Sequence, residues 1–503
     1  MSGSKNAAGP EIAEKEHFDA QSHVVKLDKH GLPLSPQPSD DPEDPLNWPL
    51  LYRIFVLIQV SLLATLGTFN TAIINPAYGE LAEEFGITTV QATVVIALNG
   101  IGPFLFIPLA NAYGRRPVYL LTTFIGFVSA LGCAYTKTYG ELIGARIVNG
   151  IFPVALSLGA GTVADMFFLH QRGRAMGVYT VLLTNGSHLA PIFGGLIGQF
   201  LGWRWIFKFA AICDAFMFIF LVFFLPETLY LRESRPSLSG MERCGEVEGG
   251  GAENANVTAE KGLWKRHIDR LRYRGKFEGR DVRVKDFVLP IVEIARYPSV
   301  LFPALYYATQ YGFGSILPAV TVSHIFAEKF GWQTLQIGLA YGGSLTIGSF
   351  LGETAGGWVV DAIIERARRR SGDDEDTPSE VRLKAVWTGE LLVPAGLLIY
   401  GFGIQYGAAW PGPIIGMGVA CFGVQCITTV ISDCHRDRSA QVFNFFRQEI
   451  GMTFAFYAIP LATAMGGYQW LFILFAGIGS IVAFLPILFL MYRGEAVRAH
   501  MNP

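Results

Sequence analysis

The sequence predicts an all-α membrane protein with twelve spans in two sets of six. Composition is the first reason: 51% of the 503 residues are hydrophobic and only 16% are charged, against about 25% charged in a typical soluble domain. Arrangement is the second. Mean hydropathy is +0.37, and the apolar residues gather into blocks near the roughly 20 residues that cross a bilayer as a helix. The third is an alternation of basic residues between successive connections. A net charge of -2 gives no general attraction to nucleic acid.

Residues 1–50 read as a polar cytoplasmic leader without the early apolar core of a signal peptide. The leader ends in Asp41-Pro42-Glu43-Asp44-Pro45-Leu46-Asn47-Trp48-Pro49, too punctuated for a regular element. Apolar blocks follow at 52–76, 90–111, 117–136, 141–164, 175–198 and 204–225, then at 299–322, 334–360, 385–406, 411–431, 442–464 and 469–491. They define an amino-terminal bundle over 51–228, a connecting loop over 229–298, a carboxy-terminal bundle over 299–492 and a tail over 493–503. Within the loop, 236–262 is Gly/Glu/Ser/Asn-rich and reads as disordered. Residues 263–286 alternate basic with apolar side chains, as a solvated tether or a helix on an anionic leaflet would.

Charge gives the orientation. Arg115 and Arg116 follow span 2, Arg172 and Arg174 follow span 4, and 226–298 carries fourteen Lys or Arg. The 77–89 connection instead holds Glu80, Glu83 and Glu84 without a basic residue. Basic residues favour the cytoplasmic side, which places both termini and the long loop there.

Small residues are dense in spans 5, 8 and 10. Span 5 has Gly177, Gly186, Gly194, Gly195 and Gly198 around Pro191. Such faces let membrane helices approach closely, and helices that rock against one another need the same smoothness. Ionisable groups inside spans are the sharper signal, because a charge in the membrane is expensive and turns to the bundle interior. Arg146 and Asn149 share a face of span 4 beside Gly150; His188, Asp214, Glu353 and Glu449 lie in spans 5, 6, 8 and 11, where Arg447 also enters. Glu390, near the end of span 9, is expected to reach water. A carboxylate in a cavity exchanges a proton with either side or neutralises a cation. Asn70, Asn75, Asn99, Tyr306, Tyr307, Gln310, Tyr311, Tyr341, Gln405 and Tyr457 make the candidate cavity wall, an aromatic lining suited to organic cations.

The six Cys form no CxxC, so no metal site, disulfide scaffold or cofactor is indicated. Neither a GxxxxGK[ST] phosphate loop nor an HExxH sequence occurs, and enzymatic or ATP-driven action is not expected.

Residues 41–492 resemble the major facilitator superfamily, in particular its twelve-span fungal drug, polyamine and organic-cation branch. The likeness rests on the 41–48 lead-in, on Asn111-Ala112-Tyr113-Gly114-Arg115-Arg116 between spans 2 and 3, and on Arg146-Ile147-Val148-Asn149-Gly150 in span 4. Gly186, Pro191, Gly194 and Gly195 fall on the span 5 antiporter signature, while Trp203-Arg204-Trp205-Ile206-Phe207 and Pro226-Glu227-Thr228 bracket span 6. The resemblance implies two six-helix bundles related by a pseudo-two-fold axis, with Arg146 in proton coupling. It also implies transport of small organic solutes driven by a proton gradient at the plasma membrane, by a monomer without an obligate protein partner. Antiport efflux is favoured over uptake of polyamines or related cations, and a transporter-like nutrient sensor is the alternative of another class. Two departures stand out. Asn111 replaces an acidic residue of the loop signature, so that Asp361 is expected to supply part of an inner-gate charge pair, and Ala190 stands where the antiporter signature has Gly.

Overall fold

The computed structural model describes residues 26, 34–93, 102–150, 154–230, 267–268, 270–271, 287, 296–371, 383–433 and 439–501. Asn99 and nearly all of 231–295 lie outside them. The amino-terminal half is built from α1 (Leu50–Ala72), α2 (Tyr78–Phe85), α3 (Thr89–Thr93), α4 (Gly102–Tyr113) and α5 (Arg115–Ala134). It continues with α6 (Tyr139–Asn149), α7 (Ala155–Met166), α8 (Leu169–Leu201) and α9 (Trp203–Phe224). The carboxy-terminal half has α10 (Pro298–Tyr311), α11 (Leu317–Phe330), α12 (Thr334–Ser371), α13 (Val386–Gln405), α14 (Pro411–Asp433), α15 (Ser439–Ala464), α16 (Tyr468–Gly477) and α17 (Leu485–Met501). Among the described residues, seven helical stretches are long and apolar enough to cross a membrane. Span 7 is assembled from shorter pieces.

Span 7 joins α10 to α11 through a π-helical turn at Gly312–Ile316, and span 12 joins α16 to α17 through another at Ile478–Ala483. A π turn inserts an extra residue and re-aims the side chains beyond it, and it recurs at functional sites. Reversals are equally local. A single residue, Gly202 at φ +81°, separates α8 from α9, a conformation that costs glycine nothing and other residues strain.

Buried apolar side chains divide into separate cores. One uses residues between Ala304 and Leu490, including Phe313, Phe326, Tyr400 and Phe472. Two others use residues between Trp48 and Leu225. The halves meet chiefly where α8 lies along α12. Glycines set that approach: a Cβ on Gly195 would lie 2.9 Å from the Gly338 Cα, and one on Gly342 would lie 2.9 Å from the His188 carbonyl oxygen.

At the end carrying the glutamate-rich 77–89 connection the halves are also tied by polar contacts. Thr334 donates to Glu80, the Leu335 amide donates to the Gln199 side chain at 3.4 Å, and the Thr93 hydroxyl donates to the Ala455 carbonyl at 3.2 Å. Thr89 and His324 are 3.2 Å apart there.

At the opposite end one carboxylate organises the arginine turn. Glu227 accepts from the backbone amides of Arg115 and Arg116 at 3.0 and 3.1 Å, so an anion caps the positive end of α5. Arg116 turns to the other pole of α9, donating to the carbonyls of Leu225 and Val222 at 2.8 Å each. Arg115 pairs with Asp165. The two arginines therefore bind within the amino-terminal bundle. Asp361 is exposed on α12 and is not brought to them, because Asp165 and Glu227 already supply the negative charge. Replacing Glu227 by Ala should cost about 0.5–2 kcal/mol, the range for a lost helix cap. Purified Glu227→Ala is expected to melt several degrees below the parent protein, and an unchanged melting temperature would deny the cap its role.

Candidate functional site: a cavity between the bundles

A cavity of about 70 Å³ lies between the two halves. Thr68, Thr71 and Asn75 reach it from α1 and the turn beyond, Leu156 from α7, and Ser187 and His188 from α8. The second half contributes Tyr311, Ser315, Ile316 and Ala319 from span 7, Tyr341 from α12, and Arg447, Gln448 and Gly451 from α15. The π turn brings Ser315 into this wall, where its carbonyl accepts from the Tyr341 hydroxyl at 3.4 Å. Arg447 is 2% exposed, and its guanidinium stacks 4.8 Å from the centre of the Tyr311 ring.

The ionisable groups predicted to line one passage form several sites instead. In the amino-terminal bundle, Asp214 is fully buried and accepts from the Asn70 side chain at 2.7 Å. The Asn70 carbonyl accepts from Arg146 at 3.3 Å, and the same guanidinium donates to Asn149 Oδ1 at 3.1 Å and to the Thr71 carbonyl at 3.4 Å. Asn149 in turn donates to Ser129 at 3.0 Å, and Phe207 packs beneath Arg146 at 5.5 Å. Gly150 is the residue that ends α6 beside this group. Asp214, Asn70 and Arg146 thus form a chain that reaches the cavity wall at Thr71.

Glu353 accepts from the Thr184 hydroxyl at 2.8 Å, a hydrogen bond from one bundle to the other. His188 sits on the wall with Cys421 behind it at 3.9 Å. Glu449 is half-buried on α15 and is not among the residues of the wall.

Six of the described residues predicted for the wall do not line it, among them Asn70, which meets Asp214, and Tyr307. Tyr306 and Gln310 both donate to Glu390, at 2.5 and 3.0 Å, inside the carboxy-terminal core. Glu390 itself is only 3% exposed, so the expectation that it reaches water is corrected: α10 covers it. Gln405 lies at the end of α13 against the Gly466–Gly467 turn, and Tyr457 is exposed on α15. Tyr311 and Tyr341 line the cavity, and Asn99 lies outside the described residues. Gly186 and Gly194 pack against the backbone of α1 and the residue after it, at Thr65 and Ile73, whereas Gly195 and Pro191 meet α12. Ser315 is a wall residue that hydropathy did not mark; a Gly-x-Gly-Ser break in an otherwise apolar span was the available signal.

The sequence profile described as "Major Facilitator Superfamily" matches residues 60–455. This chain belongs to that superfamily. Among similar proteins, the "MFS-type transporter penM" of Penicillium rubens is 27% identical over 476 residues, covering 91% of this chain and 88% of that protein. The "Efflux pump radE" of Floropilus chiversii is 26% identical, with 92% and 84% covered. The "MFS transporter fsa7" of a Fusarium species is 30% identical, with 76% and 72% covered. Two solved structures show the same fold at low identity. A bacterial homolog of the human lysosomal transporter Spinster, solved in an inward-facing and unoccupied conformation, gives a TM-score of 0.55 at 15% identity, covering 90% of this chain and 99% of that one. The human organic anion transporter MFSD10 (TETRAN) gives 0.54 at 18%, covering 88% and 100%. The major facilitator fold comprises twelve helices in two six-helix bundles related by a pseudo-two-fold axis, so the α8–α12 seam is the boundary between the bundles. The protein is accordingly a multi-pass membrane transporter of small solutes.

Proposed function

We propose that this major facilitator protein exports small amphipathic organic solutes across the plasma membrane by proton antiport. The positive-inside pattern puts the Glu80 end outside and the Arg115 end, with both termini, in the cytoplasm. On that orientation the contacts at Glu80, Gln199, Thr89 and Thr93 close the cavity toward the exterior, one of the two states that alternating access requires. Export accords with the name of the similar Floropilus protein.

The observation that carries the reading is the Asp214–Asn70–Arg146 chain ending at Thr71 on the wall. Asp214 is held by a neutral donor rather than a cation, so protonating it breaks no ion pair. A proton on Asp214 changes what Asn70 accepts and donates, and that change is passed to the helix lining the cavity. Glu353 has the complementary position: its bond to Thr184 spans the seam, so its charge state bears on whether the bundles separate. Uptake of polyamines draws no support from the wall, whose described residues include Arg447 and no carboxylate.

The test is flux in proteoliposomes under an imposed pH gradient. Asp214→Asn and Glu353→Gln are each expected to lower gradient-driven flux by at least about tenfold, the factor carried by 1.4 kcal/mol, while solute counterflow without a gradient persists. Wild-type proton flux in both variants with solute present would remove them as coupling groups. Solute accumulation driven in the same direction as the protons would refute antiport.

A further inference from the structure

Arg447 raises a question that the transport reading leaves open. Its side chain is buried in the cavity wall, and its Nε has no hydrogen-bond partner. Around it stand Tyr311, Tyr307 and Tyr179, with the Tyr307 hydroxyl accepting a hydrogen bond from the guanidinium. None of the described wall residues is acidic. Among the described residues, the carboxylates inside the bundles are engaged elsewhere: Asp214 with Asn70, Glu353 with Thr184, and Glu390 with Tyr306 and Gln310. Glu449, two residues along α15, is not on the wall either.

A buried charge without a counter-charge is costly, and the cost falls when a ligand supplies the missing partner. Stacking on Tyr311 occupies a face of the guanidinium and leaves its in-plane N–H groups as donors. That planar fork matches the two oxygens of a carboxylate. Gln448, Ser315 and His188 add neighbouring polar atoms, while Ile316, Ala319 and Leu156 give an apolar surface for the rest of a small molecule.

We infer that Arg447 is the docking point for an anionic head group, so that the transported solutes are amphipathic carboxylates rather than cations. This rests on the proposed transport function and names its substrate class. It replaces the cation preference expected from the aromatic residues alone: the ring that would hold a cationic solute already holds the cation of the protein.

The experiment uses full-length protein and three probes of one skeleton: 3-phenylpropionate, 3-phenylpropanamide and 3-phenylpropylammonium. Binding is read from the melting temperature and from displacement of radiolabelled 3-phenylpropionate in detergent, and flux from uptake into proteoliposomes. The carboxylate should bind the parent protein at least about tenfold more tightly than either analogue, and Arg447→Gln should abolish that preference. Arg447→Lys should keep the charge and the fold but weaken carboxylate binding about tenfold, since lysine lacks the parallel donors. Should Arg447→Gln fail to insert, the lysine variant decides. Carboxylate binding without flux would support Arg447 as the docking point and refute the transport reading on which the substrate class rests. Flux without a carboxylate preference, tighter binding of the ammonium, or an unchanged preference in the lysine variant would overturn the inference and leave transport standing.

Discussion

Gly338→Val is expected to cripple transport while Gly343→Val, on the same helix, leaves it nearly intact. A Cβ at Gly338 would lie 2.4 Å from the Pro191 carbonyl oxygen and 2.8 Å from the Gly195 Cα. Both obstacles are backbone, so no rotamer change relieves them, and α12 must move away from α8. A Cβ at Gly343 has nothing within 4 Å. Overpacking of a tight contact costs about 1–3 kcal/mol. Because this contact joins the bundles, the cost falls on the state closed at the Glu80 end rather than on folding of either bundle. A bias of that size between two conformations shifts their ratio by about 5- to 150-fold. Flux should fall accordingly with the melting temperature little changed. A cysteine placed at Ser315 should also become more reactive toward an impermeant thiol reagent added from the Glu80 side. Equal flux in the two valine variants would remove the α8–α12 seam from the transport cycle.

Arg146→Lys is the second substitution with a large expected effect. The guanidinium spans the Asn70 carbonyl, the Thr71 carbonyl and Asn149 Oδ1 at once. A single ammonium on a flexible stem keeps the charge but cannot reproduce that fan of donors. Hydrogen bonds from a charged donor are worth about 1.5–3 kcal/mol each, so losing even two of them amounts to roughly a hundredfold or more. The loss should appear in gradient-driven flux, since the same residue links the Asp214 side of the bundle to the cavity wall. Full transport by the lysine variant would show that only the charge matters at this position. Restoring flux with any second substitution at Asn149 would separate the Asn149 contact from the two carbonyl contacts.

The wall and the buried network differ in how far they were legible beforehand. Thr71 and Asn70 are consecutive, yet one faces the cavity and the other meets Asp214. Tyr306 and Gln310 are four apart and sit about 40° apart around the helix, so both reach Glu390. Tyr311, five residues beyond Tyr306, is turned about 140° from it and faces the solute space instead. The spacing therefore states which residues share a face, but not which neighbour that face meets. Asp361 shows the same limit. Its position after span 8 suggested a partner for Arg115, but Asp165 takes that place from the end of α7.

The sequence alone determined that this chain crosses the membrane many times in two halves, that a basic connection alternates with an acidic one, and that a few ionisable groups lie within apolar spans. Those properties are local, since hydropathy and charge act on each segment as it enters the bilayer. Tertiary structure decided which polar groups meet. Helix rotation and the π turns of spans 7 and 12 set the direction of each side chain, and both follow from close contact between segments far apart in the chain. It took that packing to put Glu390 in a core, Asp214 on Asn70, and Arg447 on a cavity wall with no carboxylate among its described residues.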